Sequence, residues 1–226
     1  MRSTFSKGPL SAEVNNVTTP TKSRIIPHKE HRISRKQISP NALRTLYRLH
    51  NHGFIAYLVG GCVRDLLLGK TPKDFDIATN ATPNEIKRLF RNCFLVGRRF
   101  RLAHLHFQDE ILEVSTFRRV ALPSAIADTE ETGHNKCPSR HIRDGDGMVL
   151  RDNLFGTPEE DALCRDFTIN SLAYNIADSS VIDCSTGLSD LQQRLIRPIG
   201  DPYVRFTEDP ARMLRAVRFS ASHSLT

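Results

Sequence analysis

The sequence predicts an α+β domain built on a mixed sheet. Helical and strand-like segments alternate without a repeating unit, two helix starts are marked by capping boxes, and the apolar runs are short and bounded by Gly, Pro or Asp. Ser39 is a natural N-cap with Pro40 at the first helical position. Leu43, Leu46, Tyr47 and His50 then recur at helical spacing up to the terminator Gly53. Phe54 to Val59 reads as a buried strand, followed by a Gly60-Gly61 turn and a short helix through Leu68 that stops at Gly69. Thr82-Pro83-Asn84-Glu85 opens a helix to about Arg91. Strands are expected near Arg101 to Gln108 and Ile111 to Phe117, joined by a turn at Asp109-Glu110. Residues 119–150 are polar and aperiodic, which predicts a long surface loop.

A second capping box, Thr157-Pro158-Glu159-Glu160, predicts a helical region running through Asp161, Arg165 and Asp166. A hairpin follows, Leu172 to Ile176 and Val181 to Cys184, turning at Asp178-Ser179-Ser180. Asp209-Pro210 caps a last helix whose apolar residues are Met213, Leu214, Val217 and Phe219.

Charge is unevenly spread. Residues 1–40 hold eight Lys/Arg against two Glu, a net +6, so the rest contributes only +1 of the formal +7. Residues 1–38 lack apolar periodicity and are expected to form a disordered basic leader. Such an arm is either a solvated tail or a source of sequence-blind attraction to an RNA backbone. No apolar run is long enough to cross a bilayer, and the N-terminus lacks the apolar stretch of a secretory signal; no membrane partner is expected. The five cysteines include no CxxC pair and read as free thiols in a reducing compartment, the cytoplasm.

The most informative residues are two aspartates one position apart. In Asp74-Phe75-Asp76-Ile77 the side chains alternate, so both carboxylates share one face while Phe75 and Ile77 turn to the core. Upstream, Val59-Gly60-Gly61 turns without side chains in the way, letting backbone amides approach phosphate oxygens. Carboxylates beside a phosphate-accessible turn suit hard divalent cations and a nucleoside triphosphate.

Taken with Arg64-Asp65, Pro72-Lys73-Asp74-Phe75-Asp76, Arg165-Asp166-Phe167-Thr168-Ile169-Asn170 and Glu208-Asp209-Pro210-Ala211-Arg212, these segments resemble the nucleotidyltransferase (polymerase β-like) superfamily that includes bacterial poly(A) polymerases and CCA-adding enzymes. The match is to its bacterial class II branch and runs from about Ser39 to Phe219. Leu95 to His104, including Arg98, Arg99 and Arg101, looks like the segment that marks poly(A) polymerases. The resemblance implies a catalytic head over residues 39–200, with residues 201–226 beginning a helical neck and RNA-binding part. Family members continue into a helical body that is absent from this sequence. A fragment, a truncation and an interrupted gene are alternatives the sequence does not separate.

By similarity, Asp74, Asp76 and Glu113 would hold two Mg²⁺ ions, with Asp166 assisting. Gly60, Gly61, Arg64 and Asp65 would form the triphosphate cradle, and Arg165, Asp166 and Asn170 the ribose and phosphate motif. Glu208, Asp209, Arg212 and Arg215 match the base-reading motif, although in isolation they also read as a dressed helix N-terminus with a solvated arginine row. Asp183, Gly187 and Asp190 resemble a linking motif with a structural role. Cys164 stands where the family usually has a second arginine. The implied activity is addition of AMP from ATP to RNA 3′ ends, in contact with the RNA-decay machinery. The alternatives are CCA addition, which also uses CTP, and a silent remnant that only binds nucleotide or RNA.

Overall fold

A computed structural model describes residues 23–97, 101–119 and 155–226. The expected leader 1–38 is corrected over its second half. Strand β1 (Arg24–Ile26) pairs antiparallel with a later strand, and Ile26, Ile33 and Ile38 are buried. Arg35 ties this segment down by donating from Nη2 to the Ile176 carbonyl at 2.8 Å. The three isoleucines follow no strand or helix period, so only their tertiary partners reveal the order. Residues 1–22, Arg98, Arg99 and the predicted loop from residue 120 onward lie outside the described residues.

Helix α1 (Pro40–Asn51) begins as its sequence dictates. Ser39 accepts from the amides of Asn41 and Ala42, and Gly53 ends the segment at φ +82°. Its buried face is Ala42, Thr45, Leu46 and Leu49, rotated from the expected one; Tyr47 and His50 are exposed. The period was legible, but its phase was not: the 0% exposed Ala42 belongs to the core face.

Strand β2 (Ala56–Val59) leads through Gly60 into α2 (Gly61–Leu67), and β3 (Asp76–Thr79) into α3 (Pro83–Leu89), whose Thr82/Glu85 capping box is complete. Strands β4 (Cys93–Val96), β5 (Leu102–His106) and β6 (Ile111–Thr116) form a meander, with the expected turn closed by Phe107 N–H donating to the Glu110 carbonyl at 2.9 Å. Helix α4 (Pro158–Cys164) also starts at a complete capping box. A 3₁₀ turn (Thr168–Asn170), the hairpin β7 (Ala173–Asn175) and β8 (Val181–Asp183), and helices α5 (Gly187–Gln192), α6 (Pro202–Glu208) and α7 (Ala211–His223) complete the described chain. Helix α6 was not anticipated, although Asp201-Pro202 is a regular start: the Asp201 side chain accepts from the Val204 amide.

The strands form one eight-stranded sheet in the order β1-β8-β7-β2-β3-β6-β5-β4. Among the described residues only β3 and β6 pair in parallel, so the sheet is mixed as expected. Its register separates two faces. Leu58, Ile77, Val114 and Ala103 lie opposite one another and are all 0% exposed. They share the core with Leu46 and Leu49 of α1, Val63 and Leu66 of α2 and Ile86 of α3. The adjacent row, Val59, Asp76, Glu113, His104 and Phe94, belongs to the other face. One step along β3 and β6 thus changes core into site, while Val59, at the β2 end of the row, packs with Ala78 and Phe117 in a second small cluster.

Candidate active site

The site is assembled where β2 ends. Gly60 has φ +77° and ψ −139°, a conformation open to glycine alone. A β-carbon there would lie 3.1 Å from Arg165 Nη1 and 3.7 Å from Asp76 Oδ2, so the missing side chain lets an arginine and a carboxylate meet over bare backbone.

Asp76 opens β3, while Asp74 precedes the strand and is exposed. The expected alternation holds, with Phe75 at 8% and Ile77 at 0% exposure on the core side. Glu113 is the direct strand neighbour of Asp76. Burial, and then repulsion from Glu113, push the Asp76 carboxyl above its ordinary range; Arg165 pulls it down and Asp74 pushes it up. Among the described residues, no three His, Cys, Asp or Glu side chains are gathered closely enough to hold a metal by themselves.

A cleft of about 370 Å³ opens over Gly60 and Gly61. Asp76, Arg165, Asp166, Asn170, Asp209, Arg212 and Arg215 line it, as do Arg118 and Cys164. Asp166 Oδ1 accepts from the Phe167 amide at 2.8 Å and from Asn170 Nδ2 at 3.2 Å. Its Oδ2 is buried against Arg215, 2.7 Å from Nη2 without an aligned hydrogen bond. Asp161, buried beneath the cleft floor, takes Arg118 Nε at 3.1 Å and Arg165 Nη2 at 2.9 Å. Burial by itself would raise its carboxyl, but Arg165 and Arg118 outweigh that and hold it below the usual range.

Several predicted residues are near the cleft without lining it. Arg64, expected at the triphosphate, is only 5% exposed. It donates to Asn170 Oδ1 at 2.8 Å and to Asp65 Oδ1 at 2.9 Å, with its guanidinium 5.0 Å from the Phe219 ring centre. Asp65 also meets His223 Nε2 at 3.0 Å. These residues position Asn170 and dock α7. Glu208 pairs with Arg205 at 3.0 Å and Arg212 at 3.2 Å, so it supports the cleft arginine from behind. Asp74 and Glu113 lie outside the lining.

The linking motif has the structural role expected. Asp183 accepts from the Ser185, Gly187 and Leu188 amides, and Asp190 binds the hydroxyls of Thr168 and Thr186. A β-carbon on Gly187 would strike the Thr168 carbonyl at 2.3 Å, so only glycine allows α5 to pack against the turn carrying Asn170.

Helix α4 ends at Cys164, and Arg165 is extended (φ −73°, ψ 168°), which corrects the expectation of helix through Asp166. Arg205 explains the break: its Nη2 donates to the Cys164 carbonyl at 3.2 Å and the Arg165 carbonyl at 2.6 Å. Arg118, Asp161 and Arg205 were not named as site residues from the sequence. The i,i+4 spacing of Asp161 and Arg165 was a usable signal. Arg118 carries no local signal, because Asp161 is distant in the chain; for Arg205 the i,i+3 spacing to Glu208 was readable, but its bonds to the Cys164 and Arg165 carbonyls were not.

Comparison with known proteins shows the family. Residues 56–197 match the poly A polymerase head domain. Poly(A) polymerase I of Salmonella typhi is 58% identical over 201 residues, covering 87% of this chain and 40% of the relative. A CCA-adding enzyme of Lactobacillus gasseri is 40% identical over 185 residues, covering 82% of this chain and 41% of the relative. Among solved structures, the CCA-adding enzyme of Bacillus stearothermophilus in complex with CTP is 32% identical with a TM-score of 0.62, covering 83% of this chain and 41% of that one. The chain spans about 40% of the length of these curated relatives and belongs to the poly(A) polymerase head-domain family.

Proposed function

We propose that the chain is the catalytic head of a template-independent polynucleotide adenylyltransferase that adds AMP from ATP to RNA 3′ ends. The observation that carries this reading is the meeting of Gly60, Asp76 and Arg165 at the mouth of a cleft lined by further arginines. In the reaction the RNA 3′ hydroxyl attacks the α-phosphorus, a new P–O bond forms, the α–β anhydride bond breaks and pyrophosphate leaves.

The protein's work is positioning and charge compensation. The Gly60-Gly61 backbone allows close approach of the triphosphate, and Arg118, Arg165 and Arg215 offset its charge. Asp166, in the cleft lining, would accept from a ribose hydroxyl once Arg215 turns to the phosphates and uncovers its carboxylate. Asp209 and Arg212 offer an acceptor and a donor to a base edge, with Glu208 fixing the arginine. Arg64 and Asp65 hold Asn170 and α7 in place.

The residues present fit a divalent cation. Asp76, Glu113 and Asp74 are hard oxygen donors, and a cation beside Asp76 would favour the ionised form of a carboxyl raised by burial and then by repulsion from Glu113. Among the described residues they do not form a closed set. Bound there, two Mg²⁺ ions supply activation of the attacking hydroxyl and neutralisation of the leaving pyrophosphate.

The higher identity to poly(A) polymerase I than to the CCA-adding enzyme favours ATP alone as substrate. No described helix is long and apolar enough to cross a membrane. Cys62, Cys93 and Cys184 are free thiols, which suits an enzyme in the reducing cytoplasm acting beside the RNA-decay machinery. Incubating the chain with Mg²⁺, a short labelled RNA and each nucleoside triphosphate separately tests the reading. A ladder with ATP alone is expected. One or two added C residues would move the activity to CCA synthesis, and ATP binding without extension would leave a binding remnant.

A further inference from the structure

The sheet face that carries Asp76 and Glu113 continues outward to the edge strand. Asp76, Glu113, His104 and Phe94 form one cross-strand row over β3, β6, β5 and β4. His104 Nε2 lies 3.6 Å from Glu113 Oε1. Beyond it, the Phe94 ring meets His106 edge-on with centroids 4.8 Å apart. Phe94 is 57% exposed, Ile111 53% and Val96 45%, although the alternate residues Cys93, Leu105 and Leu112 are buried in the core behind. Three large apolar side chains around two imidazoles make a wet face of unusual composition for a sheet whose other side is fully packed.

We infer that this face is a stacking platform for the last few nucleotides of the RNA primer, with Phe94 and His106 as the rings and His104 aligning Glu113 at its inner end. The inference rests on the adenylyl-transfer reading and names where its second substrate lies. The triphosphate cleft lies over Gly60 and Gly61 and is lined by Cys164 of α4, Arg212 and Arg215 of α7 and Arg118 beyond β6, whereas Glu113 and His104 stay outside the lining. In-line displacement sets the attacking oxygen opposite the leaving one, so the 3′ hydroxyl approaches from the Glu113 side. Three strand spacings separate Asp76 from Phe94, about 14 Å. At about 3.4 Å per stacked base, that is the reach of roughly four nucleotides, fewer if the strand is extended. Flat rings accept any base, as a template-independent enzyme requires, because every base has a π-face. Arg101, exposed just before β5, is available to a backbone phosphate. Register continuity with the reacting carboxylates favours RNA over a protein partner.

A short oligoadenylate carrying one 2-aminopurine, moved a position at a time from the 3′ end, tests this with the full chain. Fluorescence quenching on binding is expected to peak at the second to fourth nucleotides. In the Phe94→Ala/His106→Ala variant, RNA affinity should fall by about tenfold or more and the peak should vanish. Phe94→Tyr should restore both, with ATP affinity unchanged throughout. Thermal melting verifies that the variants fold, as expected for exposed rings. RNA affinity within about twofold of wild type in the double variant, or no RNA binding by the wild-type chain, overturns the platform. If wild type extends RNA and the double variant does so with unchanged KM for RNA, the platform fails while adenylyl transfer stands. If wild type shows the quenching peak but neither binds ATP nor extends RNA, adenylyl transfer fails while the platform stands.

Discussion

Gly60 and Arg165 occupy space that no side chain on residue 60 could share: a β-carbon there would be 3.1 Å from Arg165 Nη1, on a backbone already at φ +77°. Gly60→Ala therefore combines backbone strain, about 1–3 kcal/mol, with displacement of a cleft arginine. Gly53→Ala is its control, since φ is +82° there but nothing lies within 4 Å. Both variants should lose stability in urea titrations, and only Gly60→Ala should also lose ATP affinity.

Arg64→Ala should damage stability more than nucleotide binding. It leaves Asp65 and Asn170 without their charged partner and removes the cation under Phe219. Breaking a buried ionic contact in this way costs about 3 kcal/mol or more. Chemical denaturation would show that loss; a wild-type denaturation midpoint with greatly weakened ATP binding would return Arg64 to the triphosphate.

The Asp161 pair gives a pH signature. Its folded carboxyl titrates below the unfolded value of 3.8, so its stabilisation is complete above about pH 5 and is lost as pH falls through the folded value. The stability gap between wild type and Asp161→Asn should be flat near neutrality and close under acid conditions. Urea midpoints measured for both proteins across this range check the sign.

Replacing Asp76 separates chemistry from folding. Its carboxyl is raised by burial and by Glu113, so the ionised form opposes folding at neutral pH. Asp76→Asn should raise the melting temperature in metal-free buffer while abolishing AMP transfer. The Asp74→Ala/Asp76→Ala pair should likewise stay folded and inactive. Transfer at the wild-type rate would remove these carboxylates from the metal site.

Cys164→Arg would add a cation to the cleft wall beside Arg118 and Arg165. One further charge-assisted bond to a phosphate is worth about 1.5–3 kcal/mol, or roughly tenfold and more in ATP affinity. The gain should shrink as salt is raised. An unchanged dissociation constant at low salt would mean that the arginine is not missed at this position.

The sequence by itself determined the local events. Ser39, Thr82 and Thr157 start their helices, Phe75 and Ile77 turn Asp76 outward, and the hairpins turn where their Asp and Ser residues lie. Each depends on neighbours within a few residues, through caps, alternation and turn chemistry. The fold class and most cleft residues were legible for the same reason. Tertiary structure alone decided which arginines face the cleft. Arg64, in the glycine motif, is spent on Asn170, Asp65 and Phe219, whereas Arg118 reaches Asp161 and Arg205, besides its local pair with Glu208, reaches the Cys164 and Arg165 carbonyls, all more than 30 residues away. It also decided that Ile26 and Ile33 are core and that α1 buries Ala42 rather than Tyr47. An ion pair or a packing contact between distant segments depends on where the sheet brings them, and no local pattern of residues encodes that meeting.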